Sequence, residues 1–98
     1  MASTRRRYLV CYDIAHPKRL RRVAKTMEGF GTRIQFSVFE CPLDDLRLQQ
    51  AKAELAKILQ ADQDQVLFVS LGPEAADATL IIEALGTPYL VRSRVTIV

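Results

Sequence analysis

Asp13 closes an apolar run, Tyr8-Leu9-Val10-Cys11-Tyr12, and is followed by His16 and Pro17. A carboxylate at the end of a buried strand emerges at the rim of a sheet, where it can ligate a hard cation or serve in acid–base chemistry. The plain reading of the same position is a turn or capping aspartate. One carboxylate binds Mg²⁺ weakly, because the ion takes several oxygen ligands. Two copies brought together across a two-fold axis would change that, since a divalent cation relieves their mutual repulsion. His16 lies close enough in sequence to act as a general acid or base, against the plain reading of a loop histidine without an identifiable partner. The other chemical resource is charge. From Arg5 to Arg33 stand Arg5, Arg6, Arg7, Lys18, Arg19, Arg21, Arg22, Lys25 and Arg33 against only Asp13 and Glu28. Such a run is either a solvated helix face or a surface for phosphates. Tyr12 and Phe39 read either as stacking partners for bases or as core aromatics.

Several other chemistries find no support. The chain has no GxxxxGK[ST], GxGxxG, HExxH or GxSxG pattern, and nothing places Ser37 and His16 together as parts of a triad. Cys11 and Cys41 stand 30 positions apart without CxxC spacing, so buried free thiols are expected rather than a zinc site or a disulfide framework. The net charge is +3 and the pI about 9.1, a mild basic bias concentrated in the N-terminal third that permits a polyanionic partner. The apolar runs are too short to span a bilayer, and no signal-peptide core follows Met1-Ala2-Ser3-Thr4-Arg5-Arg6-Arg7. A cytoplasmic protein without a membrane partner is therefore expected.

The elements that must position these groups follow from hydrophobic spacing. Tyr8 to Tyr12 reads as a strand apolar on both faces. Pro17 suits the first position of a helix whose apolar stripe is Leu20, Val23, Ala24, Met27 and Phe30, closed by Gly29 and Gly31. Arg33 to Cys41 is strand-like throughout, and a hairpin fits within it although no Asn-Gly or Asp-Gly marks the turn. Asp44 or Asp45 caps a second helix with Leu48, Ala51, Leu55, Ile58 and Leu59 buried. A polar loop from Ala61 to Gln65 precedes the strand Val66 to Leu71. Beyond it, Gly72-Pro73-Glu74 opens a helix running to Gly86, or Thr79 to Ile82 forms a strand; periodicity does not choose. Tyr89 to Val91 and Val95 to Val98 are β-prone. The order predicts an α+β fold, a ferredoxin-like βαββαβ sandwich. It comprises one domain over 1–98, with 72–98 as a β-prone C-terminal extension that supplies an additional strand. The apolar character of both faces of the first strand implies that the sheet's second face is covered too, a role open to a partner subunit.

Two stretches carry a resemblance. Tyr8-Leu9-Val10-Cys11-Tyr12-Asp13-Ile14 is similar to the opening strand of the CRISPR-associated Cas2 family. Gly31-Thr32-Arg33-Ile34-Gln35-Phe36-Ser37-Val38-Phe39-Glu40-Cys41 resembles its second signature, Gly-x-Arg-[Val/Ile]-Gln-x-Ser-Val-Phe-Glu. Asp64 to Leu71 looks like its later strand, with Leu67 where the family often has arginine. The resemblance implies that Asp13 is a metal-binding catalytic aspartate contributed once by each subunit of a homodimer. Mg²⁺ or Mn²⁺ held by the pair would activate water and stabilise charge on a phosphodiester. It further implies that Tyr12 flanks the site, that Arg33, Ser37 and Phe39 lie near it, and that Arg19 and Arg22 touch phosphates. The C-terminal tail would add a strand to the partner's edge.

Two functions stay open on these grounds. One is a metal-dependent endonuclease, acting on RNA or DNA in the spacer-acquisition stage of antiviral defence. The other is a non-catalytic dimeric scaffold that binds duplex DNA and bridges the CRISPR integrase subunits. A toxin-like ribonuclease of similar fold is a third, weaker possibility.

Overall fold

In β1 (Arg6–Asp13) the side chains alternate across the sheet: Tyr8, Val10 and Tyr12 are buried, while Leu9 and Cys11 are half-buried and Asp13 is exposed. That period of two gives the strand a helix-covered face and a second, more open face. The computed structural model describes residues 4–89. After β1 come α1 (Pro17–Glu28), β2 (Thr32–Gln35), β3 (Val38–Leu43), α2 (Asp45–Ala56) and β4 (Gln65–Pro73). The strands form one antiparallel sheet in the order β2-β3-β1-β4. This is the expected βαββαβ sandwich, with both helices on one face.

The core lies between that face and the helices. Tyr8, Val10, Tyr12, Phe39, Cys41 and Leu43 from the sheet meet Val23 and Met27 of α1 and Ala51 and Leu55 of α2. Leu20, Ala24, Leu48 and Leu59 close its margins, so both expected helical stripes face inward. Helix α1 starts at Pro17, whose missing N–H costs nothing there, and His16 is its N-cap. The His16 Nδ1 accepts from the Lys18 amide at 3.1 Å. The histidine considered for acid–base work is therefore a cap. Asp44 settles the choice of cap for α2 by accepting from the Arg47 amide at 2.8 Å.

The stretch Arg33 to Cys41 does fold into a hairpin. It carries a register irregularity between Arg33 and Gln35, and among the described residues no non-glycine adopts positive φ. A turn built that way has no use for Asn-Gly, which is why the sequence carries no such mark. Gly31 precedes the hairpin because a Cβ there would overlap the Glu40 carbonyl oxygen and lie 2.5 Å from the Cys41 Sγ.

The open face is polar at one end and apolar at the other. Arg7 and Glu40 form a buried ion pair, Tyr89 donates to Glu40, and Arg7 Nη2 donates to the Glu74 carbonyl at 2.9 Å. The segment after β4 thus crosses this end of the sheet. It forms neither the helix to Gly86 nor the strand over Thr79–Ile82, and it shows no β-structure between 74 and 89. Instead Asp77 caps a single 3₁₀ turn, Ala78–Leu80, in which Ala78 is buried. Gly86 takes positive φ, a conformation a regular helix or strand does not run through. The remainder of the expected extension, 90–98 with its additional strand, lies outside the described residues. No helix among those described is long and apolar enough to cross a membrane.

Candidate active site

Strand β1 delivers Asp13 to the edge where β1 ends and β4 begins, since Asp13 and Gln65 face each other in the ladder. On the other side, Tyr12 N donates to the Ser37 carbonyl at 3.1 Å, which brings the tip of the β2–β3 hairpin against the end of β1. Helix α1 starts four residues later. By the alternation of β1, Asp13 shares the open face with Leu9 and Cys11. Among the described residues Asp13 has no hydrogen-bonding or ion-pairing partner, so its carboxylate is available to a ligand.

No group of three or more His, Cys, Asp or Glu side chains among the described residues could hold a metal ion. At this edge one protomer offers the exposed carboxylate of Asp13, with the Gln65 amide opposite it in the ladder. That donor set fits Mg²⁺ or Mn²⁺, which keep several waters and bind through one or two carboxylates plus substrate phosphate. It does not fit a protein-enclosed site. A second carboxylate from a partner copy would strengthen it.

The residues expected around Asp13 divide by burial. Ser37 is half-buried at the hairpin turn, and Arg33 is exposed with its guanidinium 5.9 Å from the Phe36 ring centre and 5.4 Å from that of Phe39. Tyr12 and Phe39 stack on each other, centroids 6.2 Å apart, and both are buried. They flank the site through the core and present no ring to a base; Phe36, 76% exposed at the hairpin tip, does. Lys18, Arg21, Arg22 and Lys25 line one shallow depression of about 360 Å³ along α1. Their spacing of three and four places four like charges on one stripe, which is self-repelling until an anion meets it. No acidic side chain occupies the first turn of that helix.

Arg19 stands apart from that stripe. Its Nε donates to Asp64 Oδ2 at 2.8 Å and its Nη2 to Asp64 Oδ1 at 3.2 Å and Gln63 Oε1 at 3.1 Å. The Arg19 bonds come first in holding the Asp64 carboxyl well below the usual carboxylate range, outweighing desolvation; the Ala15 and Gln60 amides add to it. The same contact raises the Arg19 pKa. Asp64 falls in the polar loop expected from Ala61 to Gln65, and its one sequence signal is an aspartate directly ahead of a β-run.

Residues 6–78 match the sequence profile of the family described as CRISPR associated protein Cas2. The chain belongs to the Cas2 family. The CRISPR-associated endoribonuclease Cas2 1 of Rhodospirillum rubrum is 45% identical over 82 residues, covering 84% of this chain and 79% of that protein. The crystal structure of Streptococcus pyogenes Cas2 at pH 6.5 superposes with a TM-score of 0.72 at 35% identity, over 82% of this chain and 99% of that one. A chain of a partial Cas6-RT-Cas1–Cas2 complex gives a TM-score of 0.55 at 25% identity, over 64% and 77% of the two chains. Asp13, Ser37 and the hairpin all fall inside the matched Cas2 region, and the crossing segment beyond Ala78 falls outside it.

Proposed function

We propose that this chain is a metal-dependent endonuclease of the CRISPR adaptation machinery, hydrolysing phosphodiester bonds at paired Asp13 residues of a cytoplasmic homodimer. The observation that carries the reading is the placement of Asp13, its side chain exposed and unpartnered among the described residues, at the end of the open sheet face away from the Arg7–Glu40 pair, next to a group of apolar side chains. Leu67 and Val69 of β4 join Leu9 and Cys11 there, and both are more than two-fifths exposed. Packing two such faces together buries that surface and carries one Asp13 from each copy to the seam.

Asp13 supplies the carboxylate oxygens for Mg²⁺ or Mn²⁺. The bound ion contributes a Lewis acid that lowers the pKa of water and neutralises charge on the phosphodiester. Lys18, Arg21, Arg22 and Lys25 hold the nucleic-acid backbone by phosphate contact, and Arg33 and Ser37 border the scissile group. The printed names of the relatives, endoribonuclease and endonuclease, support nuclease chemistry on RNA or DNA.

The likeness to a chain of a Cas1–Cas2 complex favours a second reading, a scaffold that clamps duplex DNA and docks an integrase. One assay separates them. Wild type and Asp13→Asn are incubated with labelled single-stranded RNA and duplex DNA in Mg²⁺, Mn²⁺ or EDTA. The nuclease reading expects metal-dependent cutting by wild type and a loss of at least about 10²-fold in the variant. Equal cutting by both sinks it. No cutting by a folded dimer that binds duplex DNA and the integrase leaves the scaffold.

A further inference from the structure

The side chain of Asp64 has no accessible surface, and its carboxylate is fully subscribed. Oδ1 accepts from the Ala15 amide at 2.9 Å and from Arg19 Nη2 at 3.2 Å. Oδ2 accepts from Arg19 Nε at 2.8 Å and from the Gln60 amide at 2.9 Å. A carboxylate has about four lone-pair sites, and all four are filled. The bonds come from three separate segments: the turn after β1, the first turns of α1, and the loop after α2. Asp64 is also the residue before Gln65, which faces Asp13 across the ladder. Ala15 is two residues beyond Asp13, so its amide is pinned just past the point where the Asp13 carboxylate leaves the strand.

We propose that Asp64, clamped by Arg19, is a positioning residue for Asp13: it fixes the Asp13–Ala15 turn so that the Asp13 carboxylate meets a cation and a phosphodiester in one orientation. The inference rests on the reading of Asp13 as the metal-binding carboxylate. It reassigns Arg19, whose Nε and Nη2 are turned to this clamp, from phosphate contact to holding the turn. A loop staple serving stability alone has no need to end on the turn that carries the exposed carboxylate. A ligand carboxylate does need such support, because displacement of about 1 Å at a reacting centre costs on the order of 10²-fold in rate.

The test compares wild type, Asp64→Asn, Arg19→Lys and Asp13→Asn as full-length protein. Three quantities are read: the Ala15 amide proton shift in metal-free protein by NMR, the Mn²⁺ dissociation constant by EPR of free Mn²⁺, and kcat and KM on labelled RNA. For Asp64→Asn we expect the Ala15 amide to lose its downfield, carboxylate-bonded shift and Mn²⁺ binding to weaken by about tenfold or more. The fall in rate should lie in kcat, with KM held by the untouched α1 stripe. Arg19→Lys keeps the charge but not the forked pair of bonds and falls between; it carries the same readouts if Asp64→Asn does not fold. A lowered melting temperature with wild-type Mn²⁺ affinity and kcat overturns the proposal and leaves Asp64 a structural staple. So does an unmoved Ala15 amide. If Asp13→Asn binds Mn²⁺ as wild type does, the reading of Asp13 itself fails and the positioning role falls with it, a result distinct from failure of Asp64→Asn alone.

Discussion

At the scale of single residues, burial separates the groups that act from the groups that hold. Asp13 is exposed, so its replacement should have little effect on folding, and any loss of cutting in such a variant would report on the proposed chemistry. Phe39 is fully buried, and its truncation to alanine costs about 3–5 kcal/mol; lost activity in such a variant would report unfolding, not lost base stacking. Glu40 is read the same way. It compensates buried Arg7 and accepts from Tyr89, so Glu40→Gln leaves a buried charge short of its partner. We expect a loss of about 3–5 kcal/mol in urea denaturation, much of it recovered in the apolar double replacement Arg7→Met with Glu40→Leu. A double variant as unstable as the single would contradict this account. Asp64 gives the acid response. Its folded-state pKa lies below the ordinary value of about 4, so its contribution is complete above that value. It is lost as pH falls below about 4 toward the depressed folded pKa. Asp64→Asn should flatten that part of the stability-against-pH curve while other carboxylates keep theirs.

At the scale of elements, α1 carries two stripes. Val23 and Met27 anchor it in the core, and Lys18, Arg21, Arg22 and Lys25 form the outward stripe. Neutralising Arg21 and Arg22 together as glutamine should weaken nucleic-acid binding and reduce the slope of log affinity against log salt by about 2. Fluorescence anisotropy over a salt series reads this directly. Stability should hold or rise slightly, because like charges at this spacing repel by a few tenths of a kcal/mol per pair, about 0.2–0.5. An unchanged slope would show the stripe to be merely solvated. The β2–β3 hairpin carries the other site-building task, since the Ser37 carbonyl ties its tip to the end of β1.

At the scale of the whole molecule, the proposed dimer rests on the open sheet face. Leu67 and Val69 are too exposed to matter much to the fold of one protomer, yet they sit on the face that carries Asp13. Val69→Glu should therefore leave the circular dichroism spectrum intact, shift sedimentation equilibrium from dimer to monomer, and abolish metal-dependent cutting although Asp13 is untouched. A dimer that survives the substitution would place the seam elsewhere. The crossing segment from Glu74 to Tyr89 leaves this apolar end of the face open and covers the Arg7–Glu40 end instead.

The sequence by itself determined the strand that ends at Asp13, both helical stripes, the βαββαβ order and the basic bias of α1. All of these are periodic or local signals, carried by side chains within a few residues of one another. It also contained the hairpin, though without the turn that would announce it, because the bend uses a register irregularity in place of left-handed residues. What the tertiary structure decided was which polar groups are spent on one another. Arg19 is one basic residue among several until folding sets it on Asp64, 45 positions away. Glu40 is the end of a signature until it meets Arg7 across the sheet. Such pairings depend on contacts between distant segments, which no spacing rule encodes. The same holds for the segment after β4, where short apolar runs between two glycines gave no period, and only the polar end of the open face fixed its path.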